Sequence, residues 1–252
     1  MRPGWVLSVL VLLPISLCAG EVKSGYEYLS AENRAMQDDD FSNPGLLWVD
    51  EGAALWRQPL GKKQKSCQSC HDSAQQSMRG VRARYPIFDE VTEKPLNIPM
   101  RINRCLTEHS EAEALAYDAR EMIALTTFIG HQSQGLPVQL DEDERLEPFI
   151  EQGNQFFYQR RGRLDLACHH CHERNTGQQL RGEIISQGQT NGYPAYRHVW
   201  QKLGTQHQLF LWCNEAVQSE AYPLGSDTYV NLELYMARRA AGLQVETPAV
   251  RR

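Results

Sequence analysis

Two short stretches decide the fold: Cys67-Gln68-Ser69-Cys70-His71 and Cys168-His169-His170-Cys171-His172. In each, two thiols three residues apart are followed at once by an imidazole. That spacing suits covalent attachment of a c-type haem: the thiols add across the porphyrin vinyl groups and the histidine ligates the iron. Zinc is the main alternative, but the two cysteine pairs are separated by 97 residues, against roughly 15–20 in a zinc ribbon. A thioredoxin-like redox pair needs a strand-helix-strand context, which neither stretch has. The residues therefore predict two covalently bound haem c groups, attached through Cys67 and Cys70 and through Cys168 and Cys171, with His71 and His172 as iron ligands.

Working outward, the surroundings of the two stretches repeat. At an offset of 101, Gly52, Trp56 and Gly61 fall on Gly153, Phe157 and Gly162, together with the haem segments. At 108, Tyr85-Pro86 falls on Tyr193-Pro194 and Cys105 on Cys213; at 107, Gly135-Leu136-x-Val138 falls on Gly242-Leu243-x-Val245. The expected fold class is all-α: two tandem cytochrome c-like domains related by internal duplication, with long haem-wrapping loops. The expected boundaries are a 1–20 leader, a 21–42 N-terminal extension, a first domain over 43–140 and a second over 141–252. A helix is expected from Asn43-Pro44 to about Arg57, with a counterpart after the acidic stretch 141–143. Apolar residues at helical spacing predict helices over 111–129 and 227–240. The Gly-, Pro- and Asn-rich stretches 92–101 and 176–194 are expected to be loops.

The leader has one basic residue, Arg2, then a mainly apolar run of 13 residues from Trp5 to Leu17 and the small residues Cys18, Ala19 and Gly20. This is the pattern of a cleaved secretory signal peptide, too short to span a bilayer at about 20 residues. The net charge is −5, and −6 once Arg2 is removed, which argues against a nucleic-acid partner. No later stretch predicts a membrane span. Export to the periplasm follows, where thiols tend to oxidise.

Beyond the haem segments, Cys105 and Cys213 remain. Met78, Met100, Met122, Met236, His109, His131, His198 and His207 are possible sixth ligands, but none recurs in both halves, whereas the cysteine does. One reading is a Cys105–Cys213 disulfide. The other, favoured by the duplication, makes each a distal thiolate on its own haem iron. Thiolate ligation stabilises ferric iron and lowers the potential, and a metal-held thiolate is a nucleophile if it can leave the iron.

These features, with Arg181-Gly182-Glu183, Gly192-Tyr193-Pro194-x-Tyr196-Arg197, Cys213-Asn214 and the ending Glu246-Thr247-Pro248-Ala249-Val250-Arg251, resemble the SoxA family. The likeness covers nearly the whole chain after the leader. It implies the haem subunit of a periplasmic L-cysteine S-thiosulfotransferase, which couples thiosulfate oxidatively to a cysteine of the carrier SoxYZ and passes two electrons to a cytochrome c acceptor. It also implies a SoxX-like cytochrome c subunit as heterodimer partner, Cys213 as the catalytic cysteine carried as a persulfide, and Cys105 as ligand to the first haem. Family members commonly have an arginine four residues before the catalytic cysteine; here Leu209 stands there. Thiosulfate is a dianion and needs cationic donors, so Arg181 and Arg197 are the candidate substrate residues, although Arg181 equally suits a haem propionate.

Two other functions fit the residues: a thiosulfate dehydrogenase forming tetrathionate, and a plain dihaem electron carrier with inert cysteine ligands. His169 and His170 are expected to be solvated, and Trp48, Trp56, Trp200 and Trp212 to pack against helix or haem.

Overall fold

A computed structural model describes residues 21–252, so the expected leader lies outside the described residues. The helices are α1 (Ala31–Asp38), α2 (Leu46–Arg57), α3 (Gln68–His71), α4 (Ala74–Ser77), α5 (Val81–Arg84), α6 (Ile98–Arg104), α7 (Arg120–His131), α8 (Glu147–Tyr158), α9 (Cys168–His172), α10 (Gln206–Ala216) and α11 (Asp227–Arg239). None of the described helices is long and apolar enough to cross a membrane.

Two helix crossings organise the packing, α2 on α7 and α8 on α11. Gly52 lets α2 sit directly on the α7 backbone, since a Cβ there would strike the Ala124 carbonyl and the Phe128 side chain; Gly153 does the same for α8 against the Asn231 carbonyl and Tyr235. The absence of a side chain is what permits such an approach. Residues from Met122 to Gly130 in α7 are all buried, as expected of a helix apolar all round. Around it gather Val49, Trp56, Ile98, Ile102 and Leu106. In the second half Phe156, Phe157, Phe210, Tyr229, Leu232 and Met236 form the corresponding cluster. Between the halves the two matched segments pair with each other: Pro137 faces Gln244 in an antiparallel bridge, flanked by Gly135 N to Val245 O at 2.9 Å and Val138 N to Leu243 O at 2.8 Å.

Two capped helices deliver the isolated cysteines. Asn97 accepts from Met100 N at 3.1 Å to start α6, and Cys105 follows that helix at the head of a π-helical turn, Cys105–His109. Thr205 and Gln208 close a capping box, with Gln208 N to Thr205 Oγ1 at 3.2 Å and Thr205 N to Gln208 Oε1 at 2.9 Å. This reciprocal pairing satisfies two amides that a helix start otherwise leaves open, and α10 then carries Cys213.

The expectation of an all-α fold needs correction: the chain is mostly helical, of cytochrome c type, with small sheets. Strands β1 (Ile87–Asp89) and β2 (Lys94–Leu96) form a hairpin, as do β3 (Gln179–Leu180) and β4 (Glu183–Ile184). Strand β5 (Ala195–Arg197) pairs antiparallel with β6 (Lys202–Gly204) and parallel with β7 (Ala249–Arg251). Strands of two or three residues have no alternation to read, so 92–97 and 176–194 looked like loops, while 98–101, also expected to be loop, begin α6 with Pro99 in its first turn. Residues 111–119 are not helical, and α7 begins at Arg120.

The N-terminal extension packs away from the half that follows it in sequence. Apart from contacts within residues 21–45, every side-chain hydrogen bond described for residues 21–43 runs to residues 187–251. Gln37 accepts from Val250 N at 3.0 Å and Arg251 Nη1 at 2.6 Å, Asn33 contacts His198 Nε2 at 3.1 Å, and Asn43 donates to Pro248 O at 2.9 Å.

Candidate haem and thiol sites

The structure gathers the six described cysteines, all free thiols, into two groups. Cys67, Cys70 and Cys105 lie within electrostatic reach of one another in the first half. Cys168, Cys171 and Cys213 do so in the second. Cys105 and Cys213 thus belong to different groups, each with its own Cys-x-x-Cys-His segment. Among the described residues no cluster of three or more His, Cys, Asp or Glu is arranged for a bare metal ion.

The second site is the more enclosed. His172 Nδ1 lies 2.9 Å from the Ser186 carbonyl. A carbonyl can only accept, so Nδ1 carries the proton and Nε2 keeps its lone pair, as an iron ligand requires. Gly188, at φ +74°, lies so close that a Cβ there would come within 2.8 Å of His172 Cγ. Burial lowers the pKa of His172, which favours this neutral form. Burial also pushes Cys168 up to about 11 and Cys213 up to about 12. The protein alone therefore keeps Cys213 protonated at neutral pH, and a thiolate there needs the charge of a metal. His169 and His170 are half-buried, not solvated: His169 packs on Tyr158, and His170 Nδ1 accepts from Ala167 N at 3.0 Å.

Within electrostatic reach of Cys213 is Arg197, buried at 6% exposure. Its guanidinium carbon lies 5.1 Å from the ring centres of both Trp200 and Trp212. Nη1 donates to Tyr193 Oη at 3.4 Å, while Glu183 Oε1 is 4.0 Å from Nη2, an ion pair too long for a hydrogen bond. Arg197 Nε and Nη2 have no hydrogen-bond partner. Buried donors are normally satisfied, so two unused charged donors beside a thiol make a ready site for an anion. Arg181 does not join this group: it is exposed at the turn between β3 and β4, at φ +58°. Leu209 packs on Tyr193, Ala195 and Ala249.

The first site differs. His71 is exposed and its ring packs against Trp56 at 5.8 Å. Arg101, the counterpart of Leu209, donates through Nε to Tyr85 Oη at 3.3 Å. Each half thus gives its matched tyrosine a guanidinium, from α6 in the first and from β5 in the second. Asp89, the counterpart of Arg197, forms two 2.6 Å bonds with Arg104.

Sequence reasoning expected Trp200 and Trp212 to pack against helix or haem and missed that they flank Arg197; it also missed the Ser186 carbonyl and the Asp89–Arg104 pair. The doublet Gln187-Gly188 was a usable signal, since Gly188 matches Gly80 at the same 108 offset. His207, a candidate iron ligand by type, has both nitrogens engaged. Nδ1 accepts from Gly225 N at 3.1 Å, which leaves Nε2 to donate to Glu233 at 2.9 Å.

A family model described as "SoxA/TsdA, cytochrome c domain" matches residues 51–138. The L-cysteine S-thiosulfotransferase subunit SoxA of Pseudaminobacter salicylatoxidans is 42% identical over 90% of this chain and 80% of its own. The chain belongs to the SoxA family. The subunit of the same name from Rhodovulum sulfidophilum is 36% identical over 92% of this chain and 80% of that protein. The crystal structure of SoxXA from P. pantotrophus superposes with a TM-score of 0.88 at 35% identity, covering 92% of this chain and 87% of that one. A cytochrome c domain implies covalently bound haem c, and the residues of both sites fit it: paired thiols, an adjoining imidazole and a facing thiol. In the second site the imidazole also has a fixed tautomer.

Proposed function

We propose that this SoxA-family chain is the haem-bearing subunit of a periplasmic L-cysteine S-thiosulfotransferase, with Cys213 as the nucleophile. Two tandem cytochrome c-like domains, 43–140 and 141–252, arise from duplication, which the matched Gly52 and Gly153 crossings support. Each holds one haem c: Cys67, Cys70, His71 and Cys105 in the first, Cys168, Cys171, His172 and Cys213 in the second. When bound, the second haem supplies an iron that takes the Cys213 sulfur as ligand and an acceptor for single electrons.

The observation that carries the reading is the pairing of Cys213 with Arg197, whose two unused donors face a desolvated environment. Arg197 binds the sulfonate end of thiosulfate and leaves its outer sulfur toward Cys213. Arg181, being exposed, contributes at most to approach. The overall reaction joins that outer sulfur to a thiol of a SoxYZ-like carrier. One thiosulfate and one carrier thiol give a carrier S-thiosulfonate, one proton and two electrons, and the electrons leave to a cytochrome c acceptor. A SoxX-like cytochrome c subunit completes a heterodimer, supported by the SoxXA likeness, and the residues 1–20 leader directs export.

Cys213→Ala and Cys105→Ala, purified with the partner subunit, test this. Loss of carrier-bound product in the first and its retention in the second are expected. Tetrathionate formation without carrier points to a dehydrogenase, and full turnover in Cys213→Ala removes Cys213 from the chemistry.

A further inference from the structure

The extension that packs on the second half reaches the loop that fixes His172. Gln187 Oε1 accepts from Lys23 N at 2.8 Å, and Gln187 Nε2 donates to Glu21 O at 2.9 Å. The amide side chain is therefore held from both ends by backbone that adjoins the expected leader. On one side of Gln187 lies Ser186, whose carbonyl takes the His172 Nδ1 proton; on the other lies Gly188, against the imidazole ring. The loop is tied at its other end too, by Ile185 N to Gln178 O at 2.9 Å. Ser186 thus sits between two anchored neighbours.

The first half has no such device among the described residues. Met78 stands at the position of Ser186, a Cβ on Gly80 would meet only Leu136 at 3.9 Å, and His71 is exposed with no hydrogen bond to its ring. The extension, although it precedes the first half, serves the second.

We infer that Gln187 is a positioning residue for the second haem site: by clasping residues 21–23 it holds the Ser186 carbonyl on His172 and so sets the orientation and donor strength of that ligand. The inference rests on the reading of His172 as a haem ligand. The partner that orients a metal-bound histidine commonly matters by about 10- to 100-fold. A loosened Ser186 weakens a ligand that its own side chain and covalent haem attachment keep in place, so the effect belongs at the low end of that range.

The test compares wild type, Gln187→Ala and Gly188→Ala as the purified holoprotein with its partner subunit, by haem content per chain and low-temperature EPR of the ferric haems. Cys213→Ala identifies the second-haem signal. Two haems per chain, with Gln187→Ala shifting and broadening the second-haem signal alone and lowering turnover about tenfold, are expected. Gly188→Ala, which crowds the imidazole directly, is expected to shift the same signal further. Two haems with a second-haem signal unchanged in Gln187→Ala overturn the inference, as does an equal change in both signals. One haem per chain in the wild type overturns the haem reading itself, and this inference with it.

Discussion

Replacing Arg197 by Gln isolates the anion site. The side chain is buried, and two of its donors are without partners. A hydrogen bond to a charged group contributes about 1.5–3 kcal/mol, so even one such bond lost from the bound thiosulfate predicts a drop of about 10- to 100-fold in kcat/KM, at roughly 1.4 kcal/mol per tenfold. Stability moves much less. The variant loses stacking on Trp200 and Trp212, about 0.5–1 kcal/mol each, and removes two unsatisfied buried donors whose burial costs about as much. The melting temperature is then expected to stay within a few degrees. The assay is steady-state transfer to the carrier at varied thiosulfate, with a thermal melt and the haem absorption spectrum of the same preparation. A kcat/KM within twofold of wild type refutes the assignment. So does a haem spectrum or potential that changes while thiosulfate kinetics do not, which would place Arg197 on a propionate.

Arg181→Ala, at an exposed turn, is expected to leave kcat/KM for thiosulfate within twofold, and a tenfold loss would return it to the site. Gly153→Ala drives a methyl into the Asn231 carbonyl on α11; overpacking of this kind costs about 1–3 kcal/mol, a fall of several degrees in a melt of the holoprotein. Asp89 is 4% exposed at its side chain and paired with Arg104, which holds its pKa well below the usual carboxylate range. Asp89→Asn leaves a largely buried guanidinium without its counter-ion and is expected to cost about 3 kcal/mol at neutral pH in urea unfolding. Because the folded value is the lower one, that contribution is present above about pH 4 and fades as acid approaches the folded value. A gap between wild type and variant that widens below pH 4 would contradict the assignment. Thr205→Ala removes the cap of α10 and is expected to cost about 1 kcal/mol, read in the same urea experiment.

The haem segments and the cysteine repeat were legible because their chemistry is local: Cys67 to His71 and Cys168 to His172 are each a single turn, and Cys105 and Cys213 recur at one offset. Helix α11 was legible from apolar spacing to within a residue of its end, α2 from its Asn43-Pro44 start, and α8 only through the acidic stretch 141–143, which caps the short turn 144–146 just before it. What escaped depends on pairing over distance. Strand β7 becomes a strand because Ala249 meets Ala195, more than fifty residues away. The extension attaches to the second half through Gln37 and Gln187, neither of which stands out by type. Arg197 and Arg181 look alike in sequence, and only the fold separates a guanidinium flanked by two indoles from one at a hairpin tip.

The central claim, that Cys213 and not Cys105 carries the sulfur chemistry, is tested most directly by mass. The intact mass and cysteine peptides of the purified periplasmic protein are mapped with and without reductant. The account predicts two haems and an added sulfur of about 32 Da on Cys213, removed by reductant, with Cys105 unmodified. Added sulfur on Cys105, or a disulfide joining Cys105 to Cys213, would contradict it.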